Sequence, residues 1–234
     1  MNTPHKFAIC VFAPLLLASI ALGQQAYVGQ YDIYAGYMYL NSPGLNLGET
    51  GFHTQFGTNP AKWYSMGFDF SSGAGNTSLT TGMMKASVQQ QIAAQLSGVG
   101  LTLAAIQPVP EHSRTQTYAM GPQLNYRHFR KFTFSIHPSV GAIHEDATPN
   151  DAGLSFIDKM LVAQLAPTGT KAQWIGFYGF GGGVDFNVAR NFGLRMTADF
   201  VHDNLFADLV TARNSVRFSF GPVFHMGKNI AAQK

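Results

Sequence analysis

His202, Asp203 and Asn204 stand in a row near the end of an alternating apolar–polar stretch. A histidine beside a carboxylate suggests hydrolysis, which needs a nucleophile, a base that activates it and an acid that orients the base. Asp203 fits the orienting role, but no nucleophile stands beside His202, and a serine such as Ser215 must approach from a neighbouring segment. His53, His112, His128, His137, His144 and His225 show no metal-ligand spacing and read as scattered, solvated residues. No cofactor motif is present, so no cofactor is expected. A second group has different chemistry. Asp185, Arg195 and Asp199, with Asp32, Asp69, Gln123, Asn125, His137 and Arg217, put ionised and hydrogen-bonding groups at mid-segment, each flanked by apolar residues. Such groups either pair into a polar interior or line an ion path, and buried charges must be paired.

The elements that carry them read as strands. Phe180, Gly182, Val184, Phe186 and Val188 share one parity, as do Leu194, Met196, Ala198 and Phe200 across a short turn. Gly181, Gly183, Asp185 and Asn187, then Arg195, Thr197 and Asp199, take the other. Period-2 alternation gives a strand two chemically different faces. If the turn spans residues 189–191, Asp185 falls opposite Arg195 as a cross-strand pair. Charges on one face and a continuous apolar band on the other describe a barrel with a polar lumen and lipid outside. The inverse arrangement is a soluble lipocalin-type barrel with the apolar face inward. It leaves an exterior of glycine, serine and few charges, too sparse for solubility.

Composition agrees with the first arrangement. Only 12% of the 234 residues are charged, 13% are aromatic, and 25 are glycine. Net charge is +3 and the basic residues form no stripe, so a nucleic-acid partner is not expected. Lys6 precedes an apolar run closing in Ala21-Leu22-Gly23, which reads as a signal peptide over residues 1–23, with one barrel domain over residues 24–234. The single cysteine, Cys10, lies in the segment to be removed, so disulfides and thiol catalysis are excluded from the mature chain. No later window offers about 18 consecutive apolar residues, which excludes a helical membrane protein.

Eight strands are expected, at residues 27–40, 51–57, 63–72, 117–127, 132–145, 174–188, 192–203 and 215–226. Three connections are short, at residues 58–62, 128–131 and 189–191. Two are very long, at residues 73–116 and 146–173, which suggests turns on one side of a membrane and loops on the other. Residues 83–96 and 154–165 are amphipathic-helix candidates inside the long loops, either capping the mouth or lying in the outer leaflet. Trp63, Tyr64, Tyr126, Phe132, Phe192 and Phe224 fall on the short-turn side and Tyr118 and Trp174 on the loop side, as interfacial girdles. Lys62, Arg130, Lys131 and Arg190 occupy short turns, where they could meet anionic headgroups or be solvated.

Tyr34-Ala35-Gly36-Tyr37-Met38-Tyr39-Leu40, Gly121-Pro122-Gln123-Leu124-Asn125-Tyr126-Arg127 and Gly181-Gly182-Gly183-Val184-Asp185-Phe186 resemble the small eight-stranded outer-membrane β-barrels of OmpA/OmpX type. So do Gly193-Leu194-Arg195-Met196-Thr197-Ala198-Asp199-Phe200 and Val216-Arg217-Phe218-Ser219-Phe220-Gly221. The resemblance covers the mature chain outside the two long loops. It implies an all-β, antiparallel up-and-down transmembrane barrel in the outer membrane of a diderm bacterium. It further implies a monomer in contact with outer-membrane lipid and inserted by the barrel-insertion machinery. Many members end on an aromatic residue that this machinery reads, whereas here Phe224 is followed by ten more residues. Lipid A deacylases are also eight-stranded barrels, with a rim histidine and a serine two residues beyond it, a position held here by Asn204. The expected role is therefore structural or interactive, through an unidentified extracellular ligand of the long loops. The lumen is expected to be packed rather than an open pore, and the chain is not expected to be an enzyme.

Overall fold

A computed structural model describes residues 25–211 and 213–231. The expected signal peptide lies outside the described residues. Eight antiparallel strands close on themselves in chain order: β1 (Gly29–Ser42), β2 (Leu47–Ala61), β3 (Tyr64–Leu79), β4 (Val109–Tyr126), β5 (Phe132–Pro149), β6 (Lys171–Ala189), β7 (Phe192–Asp203) and β8 (Arg213–Asn229). Each strand pairs with its sequence neighbour, and β8 returns to β1 with Ile33 opposite Phe224 and Leu40 opposite Arg217. Closure removes every free sheet edge.

The alternation decides which face looks where. Tyr37, Tyr178, Phe180, Met196 and Phe220 stand exposed on the outer wall, Met196 at 61%. Their alternating neighbours Asp69, Asp185, Arg195, Asp199 and Arg217 are buried within. The apolar face therefore lies outside, which overturns the lipocalin-type arrangement. Between β6 and β7 the turn is tighter than expected: Ala189 pairs with Phe192, leaving Arg190-Asn191 as the turn. An irregularity between Asn187 and Ala189 absorbs the difference, so Asp185 still faces Arg195.

The strands outrun their sequence-based limits on the loop side. A membrane-crossing strand needs about 9–11 residues, while β4, β5 and β6 contain 18, 18 and 19. The expected loops 73–116 and 146–173 accordingly shrink, since β3 continues to Leu79, β4 starts at Val109, β5 continues to Pro149 and β6 starts at Lys171. The physical reason lies in the sequence there: Gly73-Ala74-Gly75-Asn76-Thr77-Ser78 lacks an apolar face, so the alternation that marks a strand disappears although the ladder continues. β1 and β2 likewise extend to a short link, in which Asn46 takes a positive φ of 47°. On the turn side, Trp63 sits with Lys62 in the β2–β3 turn rather than in a strand.

Both helix candidates form, as α1 (Ala86–Ser97) and α2 (Phe156–Leu165). Ser155 caps α2, its hydroxyl accepting from the Asp158 backbone N–H at 3.2 Å. Ile92 and Leu96 of α1 and Leu161 of α2 join Met84, Leu205, Phe206, Leu209 and Val210 in one apolar cluster over the barrel mouth. A backbone bridge between Met84 and Val210 ties the first loop to the β7–β8 connection. Both helices thus pack one side onto this cluster, while Phe156 and Met160 of α2 stay exposed.

Candidate functional site

The interior is a stack of paired charges. Nearest the turns, Arg195 forms a two-pronged contact with Asp185, Nε to Oδ1 at 2.6 Å and Nη2 to Oδ2 at 2.7 Å. Its Nη1 donates to Gln55 Oε1 at 2.6 Å. Such fork geometry is the strong form of the guanidinium–carboxylate bond. Asp32 accepts from Asn59 at 3.0 Å and bonds His225 Nδ1 at 2.7 Å, with Arg127 at 3.7 Å.

At mid-height Arg217 is the hub. It reaches Asp199 Oδ2 at 2.9 Å and Asp69 Oδ1 at 3.1 Å, and donates to Ser71 and Thr117 at 3.0 and 3.1 Å. Asp199 also bonds His137 Nε2 at 2.9 Å. Gly181 makes that contact possible, because a Cβ there would lie 2.0 Å from Asp199 Oδ1 and 2.9 Å from His137 Nε2. Asn125 donates to Ser65 at 2.9 Å, and Gln123 is buried beside a cavity of about 10 Å³ shared with Asp69, His137 and Arg217. That is about the space of one water molecule.

His53 and Ser219 show what the sequence reading overlooked. His53 is 1% exposed, not solvated, and lies between Asp69 on Nε2 and Ser219 Oγ on Nδ1, the latter at 2.8 Å. The parity was legible, since His53 and Gln55 alternate with outward Phe52 and Phe56. His137 and His225 are likewise engaged by carboxylates. A serine, histidine and aspartate in sequence suggest acyl transfer, but this trio is sealed. Ser219 is also bonded to Tyr34 and Thr197 at 2.8 and 2.7 Å, and Tyr34 is fully buried. A substrate carbonyl has no approach to that hydroxyl, and the trio belongs to the packed interior.

At the rim, His202 bonds Asn214 at 2.7 Å and packs against Tyr178 with ring centroids 4.9 Å apart. Asp203 and Ser215 project through the other side of the wall, Asp203 to Arg213 at 3.2 Å and Ser215 to Ser42 at 2.6 Å. The strand alternation that places them inside places His202 outside, so the three do not converge. Among the described residues, no three His, Cys, Asp or Glu side chains gather as a metal set.

Above the outer belt, which ends on β4 at Tyr118, lies an acidic tier. Arg213 bonds Glu145 as well as Asp203, and Ser113 donates to both Glu49 and Glu145 at 3.0 Å. Burial raises Glu49, and the Glu145 carboxylate adds to it. Glu111 is pushed up to about 7 by burial and then by Glu145, with Arg213 partly opposing. A carboxyl raised in the folded state stabilises most below its ordinary value and loses that contribution as pH rises through about 7. The loop cap should therefore loosen between about pH 4.5 and 7, by no more than about 2 kcal/mol after discounting for partial exposure. Proteinase K cleavage within residues 80–108 should quicken over that range in the native chain and stay flat in Glu111→Gln.

Aromatic side chains mark both ends of the belt. Trp63, Tyr126 and Phe224 are exposed near the turns, where Trp63 lies 5.6 Å from Tyr64 and Phe192 lies 5.3 Å from Phe224. Trp174 is exposed toward the loops, 5.8 Å from Tyr118.

The closed eight-strand barrel fold is shared with Neisserial surface protein A. The two are 9% identical with a TM-score of 0.52, covering 85% of this chain and 99% of that one. The fold is that of the small eight-stranded outer-membrane β-barrels. Ail, the attachment invasion locus protein of Yersinia pestis, matches at 12% identity and a TM-score of 0.48, over 84% of this chain and 98% of Ail. OprG from Pseudomonas aeruginosa matches at 9% and 0.46, over 88% and 100%. The chain matches no protein-family model and no curated protein sequence.

Proposed function

We propose that this chain is an outer-membrane barrel with a structural or surface-interaction role, in which a rigid, filled wall presents the helical loop cap to the outside. The observation that carries this reading is the inversion of the barrel, with ionised residues paired inside and large apolar side chains exposed outside. Exposed apolar surface of this extent needs an apolar solvent or a partner, and two aromatic girdles suit the headgroup levels of a bilayer. Export by the segment at residues 1–23 and delivery to the barrel-insertion machinery belong to the same reading. Closure leaves no sheet edge for strand-to-strand association, and the reading takes the barrel as a monomer. Binding by the loops is supported by their position on a rigid scaffold, which is a fold-level argument.

The barrel is neither a pore nor an enzyme in this proposal. Arg195, Arg217 and their partners occupy the cross-section that ions need, as an eight-strand interior is just wide enough for side chains to fill. The imidazole at the rim is committed to Asn214, and the interior serine trio is closed to substrate.

Three measurements test the proposal. The mature chain refolded in detergent should migrate differently on a gel before and after boiling, and should be insoluble without detergent. In planar bilayers it should give no stepwise conductance. Incubation with lipid A should release no fatty acid. Solubility in plain buffer without a heat-dependent shift overturns the membrane location, regular conductance steps overturn the filled lumen, and acyl release overturns the non-enzymatic role.

A further inference from the structure

The turn end of the barrel is one-signed. Lys62, Arg127, Arg130, Lys131, Arg190 and Lys228 lie on or beside the short turns and strand ends there, and none of those segments carries an acidic residue. Four of the six converge. Arg127, Arg130, Lys131 and Arg190 line one cleft of about 730 Å³ between the β4–β5 turn, the β6–β7 turn and the segment leading into β1, and among the described residues no carboxylate lines it.

Several features distinguish the cleft from a merely solvated rim. Arg190 is held over the Tyr27 ring, 4.5 Å from its centroid, which pre-orients its guanidinium. His225 also lines the cleft, and its Nε2 is buried without a hydrogen-bond partner while Nδ1 is bound to Asp32. Arg127 donates to Lys62 O and Asn59 Oδ1 at 2.8 and 3.2 Å, and its one ion-pair partner among the described residues, Asp32 at 3.7 Å, is shared with His225 and with Arg195 at 3.9 Å. Burial lowers the Arg127 guanidinium despite the Asp32 and Asp185 carboxylates, and Arg195 adds to the lowering. Among the described residues, Arg130, Lys131 and Arg190 form no ion pair. Cations concentrated in a concave site with low-dielectric walls focus their field on an anion, and guanidinium forks match phosphoryl oxygens.

We propose that this cleft is a binding site for a net-anionic, phosphate-bearing ligand, presented either as an anionic phospholipid headgroup or as a soluble phosphate. Arg130, Lys131 and Arg190 supply the charge at the mouth, Arg127 adds its charge at the base, and His225 offers the unpartnered Nε2 there. The proposal stands on the cleft alone and does not depend on what the loop cap does.

The test uses the refolded mature chain in zwitterionic micelles, titrated calorimetrically with dihexanoyl-phosphatidylglycerol, dihexanoyl-phosphatidylcholine and inorganic pyrophosphate. The variant Arg130→Gln/Lys131→Gln/Arg190→Gln removes the mouth of the cleft. Lys62→Gln/Lys159→Gln/Lys228→Gln removes the same charge elsewhere. Heat-modifiability of both variants verifies that they fold. Phosphatidylglycerol, pyrophosphate or both should bind, with affinity falling at least tenfold in the cleft variant and less than twofold in the control. Binding of the lipid alone assigns a membrane source, and binding of pyrophosphate alone assigns a soluble one. No binding of either, equal losses in the two variants, or phosphatidylcholine binding as well as phosphatidylglycerol overturns the site.

Discussion

Arg217→Met is expected to be among the most damaging single substitutions in this barrel. The guanidinium it removes sits between Asp69 and Asp199 and also donates to Ser71 and Thr117. Methionine fills most of the space but leaves two carboxylates facing each other in the interior. Removing one partner of a buried ion pair costs about 3–5 kcal/mol, because the remaining charge stays out of water unpaired. The urea midpoint of the barrel refolded in lipid vesicles should fall accordingly, and refolding yield should fall with it. Neutralising the carboxylates at the same time, as Arg217→Met/Asp69→Asn/Asp199→Asn, should recover much of the loss, since no unpaired charge then remains. A triple variant as unstable as the single one means that the hub acts through packing rather than charge. Arg217→Met with an unchanged midpoint means that the interior is wet enough to solvate Asp69 and Asp199 on its own.

The same alternation that makes Arg217 findable limited what else could be read. Along β8, Val216, Phe218 and Phe220 point outward, so Arg217 and Ser219 must point in, and along β6 and β7 the same count places Asp185 opposite Arg195. This works where lipid demands one apolar face. Beyond the belt the demand ends, and β3 from Gly73 to Leu79 carries small and polar residues that read as loop. Glu49 and Arg213 of the upper tier were missed for that reason, because they lie on strand extensions beyond residues 51 and 215, while Glu145 is the last residue of the expected strand 132–145. Hubs that join distant strands escaped in a different way. Asp69, His53 and Ser219 meet across β3, β2 and β8, and nothing in the spacing along the chain brings β8 to β2 until the barrel closes. The cleft at the turns escaped in the second way, since three of its basic residues come from the β4–β5 connection and the fourth from the β6–β7 turn, which meet only in the closed barrel.

Met196→Arg discriminates between a barrel in a bilayer and any other home for this wall. Met196 is 61% exposed near the middle of β7, between Leu194 and Ala198 on the outer face, and makes little contact that a longer side chain could disturb. In water such a substitution falls within about 0.5 kcal/mol, as most surface changes do. At the midplane of a bilayer an arginine on the lipid face of a barrel costs about 2–4 kcal/mol. Phe156, exposed at 77% on α2, is the control, because arginine there meets water if the cap stands above the membrane. Urea unfolding in phospholipid vesicles should therefore show a large fall for Met196→Arg and almost none for Phe156→Arg. Two large falls place α2 in the lipid with the wall, moving the interaction surface off the helix faces and onto the links around them. Two small ones leave the exposed belt without an apolar solvent, and the wall then needs a protein partner to cover it.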